Sequence, residues 1–377
     1  MNSFEIKVFN SFSSELKKIW KSIDKEFSST PFQSFDWLSN WYKIIGINNK
    51  NIELKIVVVS KNKETVLLLP FSVKNIFGIK ILEWMSGYHS DYMLPLISSK
   101  LNIDEIKFLK LWNKILLEVG NLDIIYLEKQ KKILTNNKHN PFVKYFNVEI
   151  HDYSSQIILD NSWNEFYNYK FDKKIKADSN RQYRRLKEIG QVEILFSNNV
   201  VDDNRIIDKM IYYKELRYKM MGVKNLLEKK ENKKFYQLMP KFLNNNLFEL
   251  HCSAFKVNNE IIAAHVGLIM NKTFYYLMPS NDFKVWKRFS TGRLLLEKLI
   301  EFSYGKNLKI FDLTIGSEGY KKKWLDKEEP LFRMIKPITL KGKYVIFLFK
   351  IFNRFKTTSL YNYLKHYYKK LKILSYE

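Results

Sequence analysis

Apolar and polar positions along this chain alternate in short runs between longer stretches of helical spacing, the pattern of a protein that mixes helices with sheet. From Gln33 to Gly46 the spacing predicts a helix, with Trp37 and Trp41 one turn apart on one face. Two β-rich runs follow, Glu53–Ser60 and Glu64–Val73, joined through Lys61-Asn62-Lys63, and Ile79–Trp84 reads as another strand. Ile103–Val119 is an amphipathic helix that stops at Gly120, and Leu122–Glu128 is the strand after it.

The second half repeats part of this plan. Leu294–Tyr304 is a helix that stops at Gly305, and Leu308–Leu313 is the next strand. The two endings align with a one-residue gap, which fits two related domains in tandem. Asn136–Pro141 is a polar, linker-like cluster, and Asp160-Asn161-Ser162 offers an N-cap before Trp163. Beyond it, Lys170–Gly190 is a basic helix and Gln191–Phe196 a strand. Val201–Met221 and Glu231–Asn245 are helices, and Leu247–Lys256, Glu260–Met270 and Lys272–Met278 form a three-stranded meander. The expected fold class is α+β, with mixed sheets in two tandem domains over residues 1–159 and 160–340 and a helical tail over 341–377.

Charge changes the picture. Lys and Arg number 64 against 39 acids, a formal net charge of +25, which favours anionic partners. Lys supplies most of it, with nine Arg. The single Cys252 excludes an internal disulfide framework and a multi-cysteine metal site. The histidines show no metal-ligand spacing, so no metal is expected. No N-terminal apolar region and no membrane-length apolar run are present, so a cytoplasmic location is expected, with room for peripheral contact at the inner membrane face. The tail from Lys341 interleaves nine basic residues with Tyr344, Phe347, Phe349, Phe352 and further aromatics. Such a helix either lies in an anionic membrane interface or docks on its own domain.

The chemistry concentrates between Ile261 and Trp324. Two strands lead into a loop of small residues that opens a helix, where Ser290, Thr291 and Gly292 can present backbone N–H groups to a phosphate and Arg293 adds a charged donor. The order of motifs here is Ala263-Ala264-His265-Val-Gly267, then Ser290-Thr291-Gly292-Arg-Leu294-Leu295, then Phe311-Asp312-Leu-Thr-Ile-Gly316-Ser-Glu318-Gly-Tyr320-Lys321. Upstream stand Gly87-Tyr-His-Ser-Asp91-Tyr92-Met-Leu-Pro95-Leu96 and the basic run Ser179-Asn-Arg181-Gln-Tyr-Arg184-Arg185. This set resembles the GNAT superfamily, in particular its two-domain branch of cellulose-biosynthesis-type (CelD-like) acetyltransferases, and more distantly the FemAB aminoacyl transferases. Thr291 stands where that family has Pro. The usual acyl-CoA loop is absent, and Arg288 with Gly292 is the nearest equivalent.

The resemblance implies acyl transfer to an amine or hydroxyl, with acetyl-CoA or another acyl-CoA as co-substrate and a small-molecule or lipid-linked sugar as acceptor. His265 is the first candidate base and Asp312 the group that would orient it or bind substrate. Glu318, Tyr320 and Lys321 are placed at the start of a helix, with Glu318 an alternative base and Lys321 a site for an anionic group. Asp91 and Tyr92 are expected to contact acceptor, and Arg181 and Arg185 to bind phosphates of a nucleotide sugar, a lipid-linked sugar or tRNA. Two other readings stand beside this one. The first is a FemAB-like transferase drawing on aminoacyl-tRNA, although no long heptad hairpin appears. The second is a non-enzymatic module for anionic membrane or nucleic acid.

Overall fold

Capping chemistry sets several helix boundaries in the computed structural model, which describes residues 4–27, 29–134, 137–243, 247–316 and 319–356. Ser162 and Glu165 form a reciprocal capping box at the head of α5 (Trp163–Lys170), satisfying two otherwise orphaned N–H groups. Asp104 accepts from the Lys107 N–H at the start of α3 (Glu105–Val119), and Gly120 ends it at φ 98°, a conformation that costs any other residue. The basic helix predicted over Lys170–Gly190 starts three residues later, because Lys170 is the last residue of α5. Phe171 ends α5, and Asp172 caps α6 (Lys173–Ile189) by accepting from the Ile175 N–H. The helix expected over Glu231–Asn245 divides into α8 (Lys230–Gln237) and α9 (Met239–Phe242), because Pro240 in the first turn of α9 cannot donate to the preceding turn.

The remaining helices are α1 (Ser14–Phe27), α2 (Phe35–Ile44), α4 (Pro141–Lys144), α7 (Val200–Met221), α10 (Thr291–Gly305) and α11 (Leu340–Lys356). The strands of the first half are β1 (Glu5–Phe9), β2 (Ile52–Lys61), β3 (Glu64–Ile76), β4 (Ile79–Trp84), β5 (Leu96–Ile97), β6 (Ile124–Gln130) and β7 (Glu149–Ile158). Those of the second are β8 (Val192–Phe196), β9 (Glu249–Val257), β10 (Glu260–Met270), β11 (Thr273–Asn281), β12 (Ile310–Ile315) and β13 (Lys327–Pro337).

Among the described residues thirteen strands join one sheet in the order β1-β2-β3-β4-β6-β13-β7-β12-β11-β10-β9-β8, with β5 beside β3. The two halves repeat a plan. In each, an antiparallel meander ends on a strand that pairs in parallel with the strand following a helix, β4 with β6 and β11 with β12. Each half then gives away its last strand. β7 crosses to lie against β12, and β13 returns to lie against β6, with β7 and β13 antiparallel at the centre. Two apolar cores flank this sheet. One extends from α1, α2 and α3 across to α7 and β10, and the other lies between α5, α6, α10 and the second meander. Fully buried Trp20, Trp37 and Trp112 anchor the first, each removing apolar area worth on the order of 5 kcal/mol before ordering costs.

Candidate active site

The parallel pair β11 and β12 holds together for only three registered pairs, ending at Tyr275 opposite Asp312. Beyond that point the strands part. A bulge drives the separation: Thr314 takes φ 61°, and its N–H turns back to Asp312 Oδ1 at 2.8 Å. The wedge opens into a cavity of about 780 Å³. β11 lines it with Tyr276, Leu277, Pro279, Ser280 and Asn281, and α10 adds Gly292 and Arg293 from its first turn. Lys214, Arg217 and Tyr218 come from α7, and Tyr320, Lys321 and Lys323 from the turn after β12. Asp91 reaches in from the first half.

The matching wedge in the first half is closed. β4 and β6 also part after three pairs, but the Lys129 side chain enters there and its Nζ donates to the carbonyls of Gly87 at 3.1 Å and Ser90 at 2.8 Å. That contact shapes the loop that carries Asp91. Burial pushes the Asp91 carboxyl up from its ordinary range, while Lys129, a hydrogen bond with the Thr314 side chain and Lys321 pull it down. Lys321 is buried, and its Nζ donates to the Ile315 carbonyl at 2.9 Å.

Of the residues singled out in the sequence, Asp91, Gly292, Arg293, Tyr320 and Lys321 line the cavity. Arg293 is held by its neighbours. Its guanidinium donates to Asp178 Oδ2 at 2.6 Å, to Glu297 Oε1 at 3.1 Å and to the Ser179 hydroxyl. Gly292 is tight against Asn281, since a Cβ there would lie 3.0 Å from Asn281 Oδ1. Ser290 takes φ 52° ahead of α10 without capping it, and Thr291 is wholly buried away from the cavity lining. Arg288 is exposed over the Phe289 ring at 4.8 Å, Arg185 lies over the same ring at 5.2 Å, and Arg181 is exposed beside Asp178.

Three placements correct the expected geometry. His265 does not face the cavity. Side chains alternate along β10, so its neighbour Ala264 lines the cavity while His265 stacks on Tyr276 at 4.5 Å and on Phe274 at 5.6 Å. Its Nδ1 lies 3.4 Å from the Ser253 hydroxyl, and burial holds its pKa well below the ordinary histidine value. Asp312 does not orient His265. It is buried and accepts from the Tyr92 hydroxyl at 2.6 Å and from Gln156 Nε2 at 3.3 Å as well as from Thr314, with Lys131 Nζ 3.8 Å away. Tyr92 is therefore part of the seam between the halves, fully buried, and the lining residues of the cavity do not include it. The helix placed over Glu318, Tyr320 and Lys321 is instead a single 3-10 turn, Lys321–Lys323, leading into β13. Glu318 itself lies outside the described residues.

Sequence reasoning missed the cations of α7. Lys214 and Arg217 reach the cavity from the middle of a long helix whose apolar positions do not mark that face. No group of His, Cys, Asp and Glu able to hold a metal exists among the described residues.

Residues 173–322 match the model of an acetyltransferase (GNAT) domain, the segment that builds the wedge and the first turn of α10. The fold is the GNAT-like α+β arrangement, and solved structures share it across most of their length. The structure of FemX superposes at TM-score 0.56 with 9% identity, covering 88% of this chain and 97% of that one. L-PGS from Bacillus licheniformis superposes at 0.52 with 10% identity, covering 92% and 99%. The C-terminal domain of a putative lysylphosphatidylglycerol synthetase from Agrobacterium fabrum superposes at 0.51 with 10% identity, covering 88% and 95%. No curated protein matches the chain in sequence.

Proposed function

We propose that this protein is an acyltransferase that passes an acyl group, acetyl in the simplest case, from acyl-CoA to the amine of an amino sugar or glycan precursor in cell-surface polysaccharide assembly. The observation that carries the reading is the position of Asp91, a carboxylate from one half set into the cationic cavity of the other. The residues fit an acyl-CoA. β11 has no ladder to β12 beyond Tyr275, and an extended amide-bearing chain suits the stretch past Tyr276, whose carbonyl accepts from the Thr314 hydroxyl. The first turn of α10 puts the Gly292 N–H at the cavity, where it suits a phosphate, while the Arg293 and Leu294 N–H groups donate to the Ser290 carbonyl. Lys214, Arg217, Lys321 and Lys323 add positive charge. Bound acyl-CoA supplies an activated thioester carbonyl.

The chain's own work is then to hold the acceptor and move its proton. Asp91 accepts the proton that the amine gives up as the new amide bond forms and the thiol leaves. Its raised pKa brings it closer to that of the group it must deprotonate. Tyr276, Phe283 and Trp324 give the cavity an aromatic wall. The acceptor class comes from the motif resemblance.

A second reading, an aminoacyl-tRNA donor, is supported by the exposed basic side chains of α6 and by the fold shared with FemX. Titration of the purified protein with acetyl-CoA, in parallel with aminoacyl-tRNA at one stated salt concentration, separates the two. Saturable acetyl-CoA binding that disappears in Gly292→Asp supports the first. Binding of tRNA alone replaces it with the second, and binding of neither removes both.

A further inference from the structure

A second exposed surface lies where α11 leaves the body. Thr339 Oγ1 donates to Asp123 Oδ1 at 2.6 Å, and the Gly342 N–H donates to Thr339 Oγ1 at 3.1 Å. Gly342 is pressed so close that a Cβ would lie 2.0 Å from the Asp123 carbonyl oxygen. These contacts fix the root of the helix. From there its apolar side chains are uncovered. Leu340 is 81% exposed and Tyr344 63%, and Phe347, Leu348 and Ile351 continue the same stripe at helical spacing, all exposed. A helix docked on its own domain buries such a stripe, and this one does not.

A second element presents apolar surface at the same place. Phe77, at the tip of the β3–β4 turn, is fully exposed and sits at φ 50°, a region that bulky residues avoid. The turn is held in shape, since the Gly78 N–H donates to Asn75 Oδ1 at 2.9 Å. It is tied to the helix through Lys341 Nζ, 3.3 Å from the Gly78 carbonyl. Leu117, at the end of α3, and Ile338 are exposed beside them, around a groove of about 470 Å³. The lining of that groove includes Lys80 and Lys341, and its one acid, Asp123, is buried and engaged. Over residues 340–356 the sequence has five basic residues and no acid.

We propose that α11, the β3–β4 turn and the end of α3 form one face that docks in the plane of an anionic lipid bilayer. Apolar side chains flanked by lysines match the boundary between acyl chains and negatively charged headgroups, which attracts both features at once. A second copy of this chain is a poor occupant, because the same positive charge would face itself. No described helix is long and apolar enough to span a membrane, and docking in the plane of the bilayer needs no span.

Vesicle flotation of the full chain tests this, with phosphatidylcholine vesicles compared with vesicles that also contain phosphatidylglycerol. The expected result is retention on the phosphatidylglycerol vesicles, weak retention on phosphatidylcholine alone, and loss of binding as salt rises. Phe77→Asp and Phe347→Asp, two exposed positions, should each weaken retention about tenfold without changing the melting temperature. No retention on anionic vesicles at low salt overturns the proposal. So does retention unchanged in both variants, which would put the contact elsewhere. A dimer in solution that Phe347→Asp dissociates would show that a second copy covers this face instead.

Discussion

Asp91 holds its proton more tightly than an exposed aspartate because burial outweighs the pull of Lys129, Thr314 and Lys321. In the proposed role of base Asp91 must be ionised, so turnover should rise with pH through its raised pKa. Asp91→Asn should lower kcat about a hundredfold and flatten that limb of the profile, while acyl-CoA binding persists. A pH–rate series on both proteins checks this. The buried histidines make stability depend on pH. Burial lowers His251 to about 3 and His89 to about 4. Both are neutral in the folded protein at neutral pH, and both return to the ordinary value near 6.5 on unfolding. The stability they contribute is present above 6.5 and is lost as pH falls toward the folded values, at about 1.4 kcal/mol per pH unit for each group. Urea melts of His251→Leu at stepped pH should show that slope reduced by one group's share.

At the scale of elements, the β10–β11 pair explains a glycine and a histidine together. A Cβ on Gly267 would meet the Tyr275 carbonyl oxygen at 2.5 Å and His265 Cε1 at 2.6 Å. Gly267→Ala should therefore cost about 2 kcal/mol or more, read as a lower urea midpoint with unchanged slope. The glycine in this motif serves strand packing, and the histidine beside it fills the core. Local pattern reached many elements. Helix α3 with its Gly120 stop, the Ser162 cap and the second meander lie within a few residues of where spacing put them. It did not reach β7 or β13. The first half of β7 is largely solvent-facing, and β13 carries Lys327-Glu328-Glu329-Pro330, so neither has the alternation or composition of a buried strand. Both exist because distant partners pair with them. The site was legible to the same degree. Asp91 and the Gly292–Arg293 step stood out as loop and helix-start chemistry, whereas Lys214 and Arg217 reach the cavity only through the packing of α7.

For the whole molecule, the exchange of β7 and β13 removes any clean seam. Asp312 in the second half accepts from Tyr92 in the first, and Lys131 stands near both Asp312 and Glu329. Neither half can lose its borrowed strand without baring a sheet edge. Calorimetry should show one cooperative unfolding transition rather than two, with van't Hoff and calorimetric enthalpies in agreement. A chain ending before Lys327 should lose the fold of both halves, with the amide protection of β2 and β3 falling along with that of β10.

The same exchange puts a delay into the making of the protein. β6 emerges from the ribosome early, but the strand that covers its free edge is among the last described elements of the chain. Roughly two hundred residues separate them, which at ordinary synthesis rates is on the order of ten to forty seconds. Through that interval the first meander has an open, apolar strand edge and no partner. An exposed edge of this kind invites pairing with other chains, so slowing synthesis between β7 and β13 should raise the aggregated fraction.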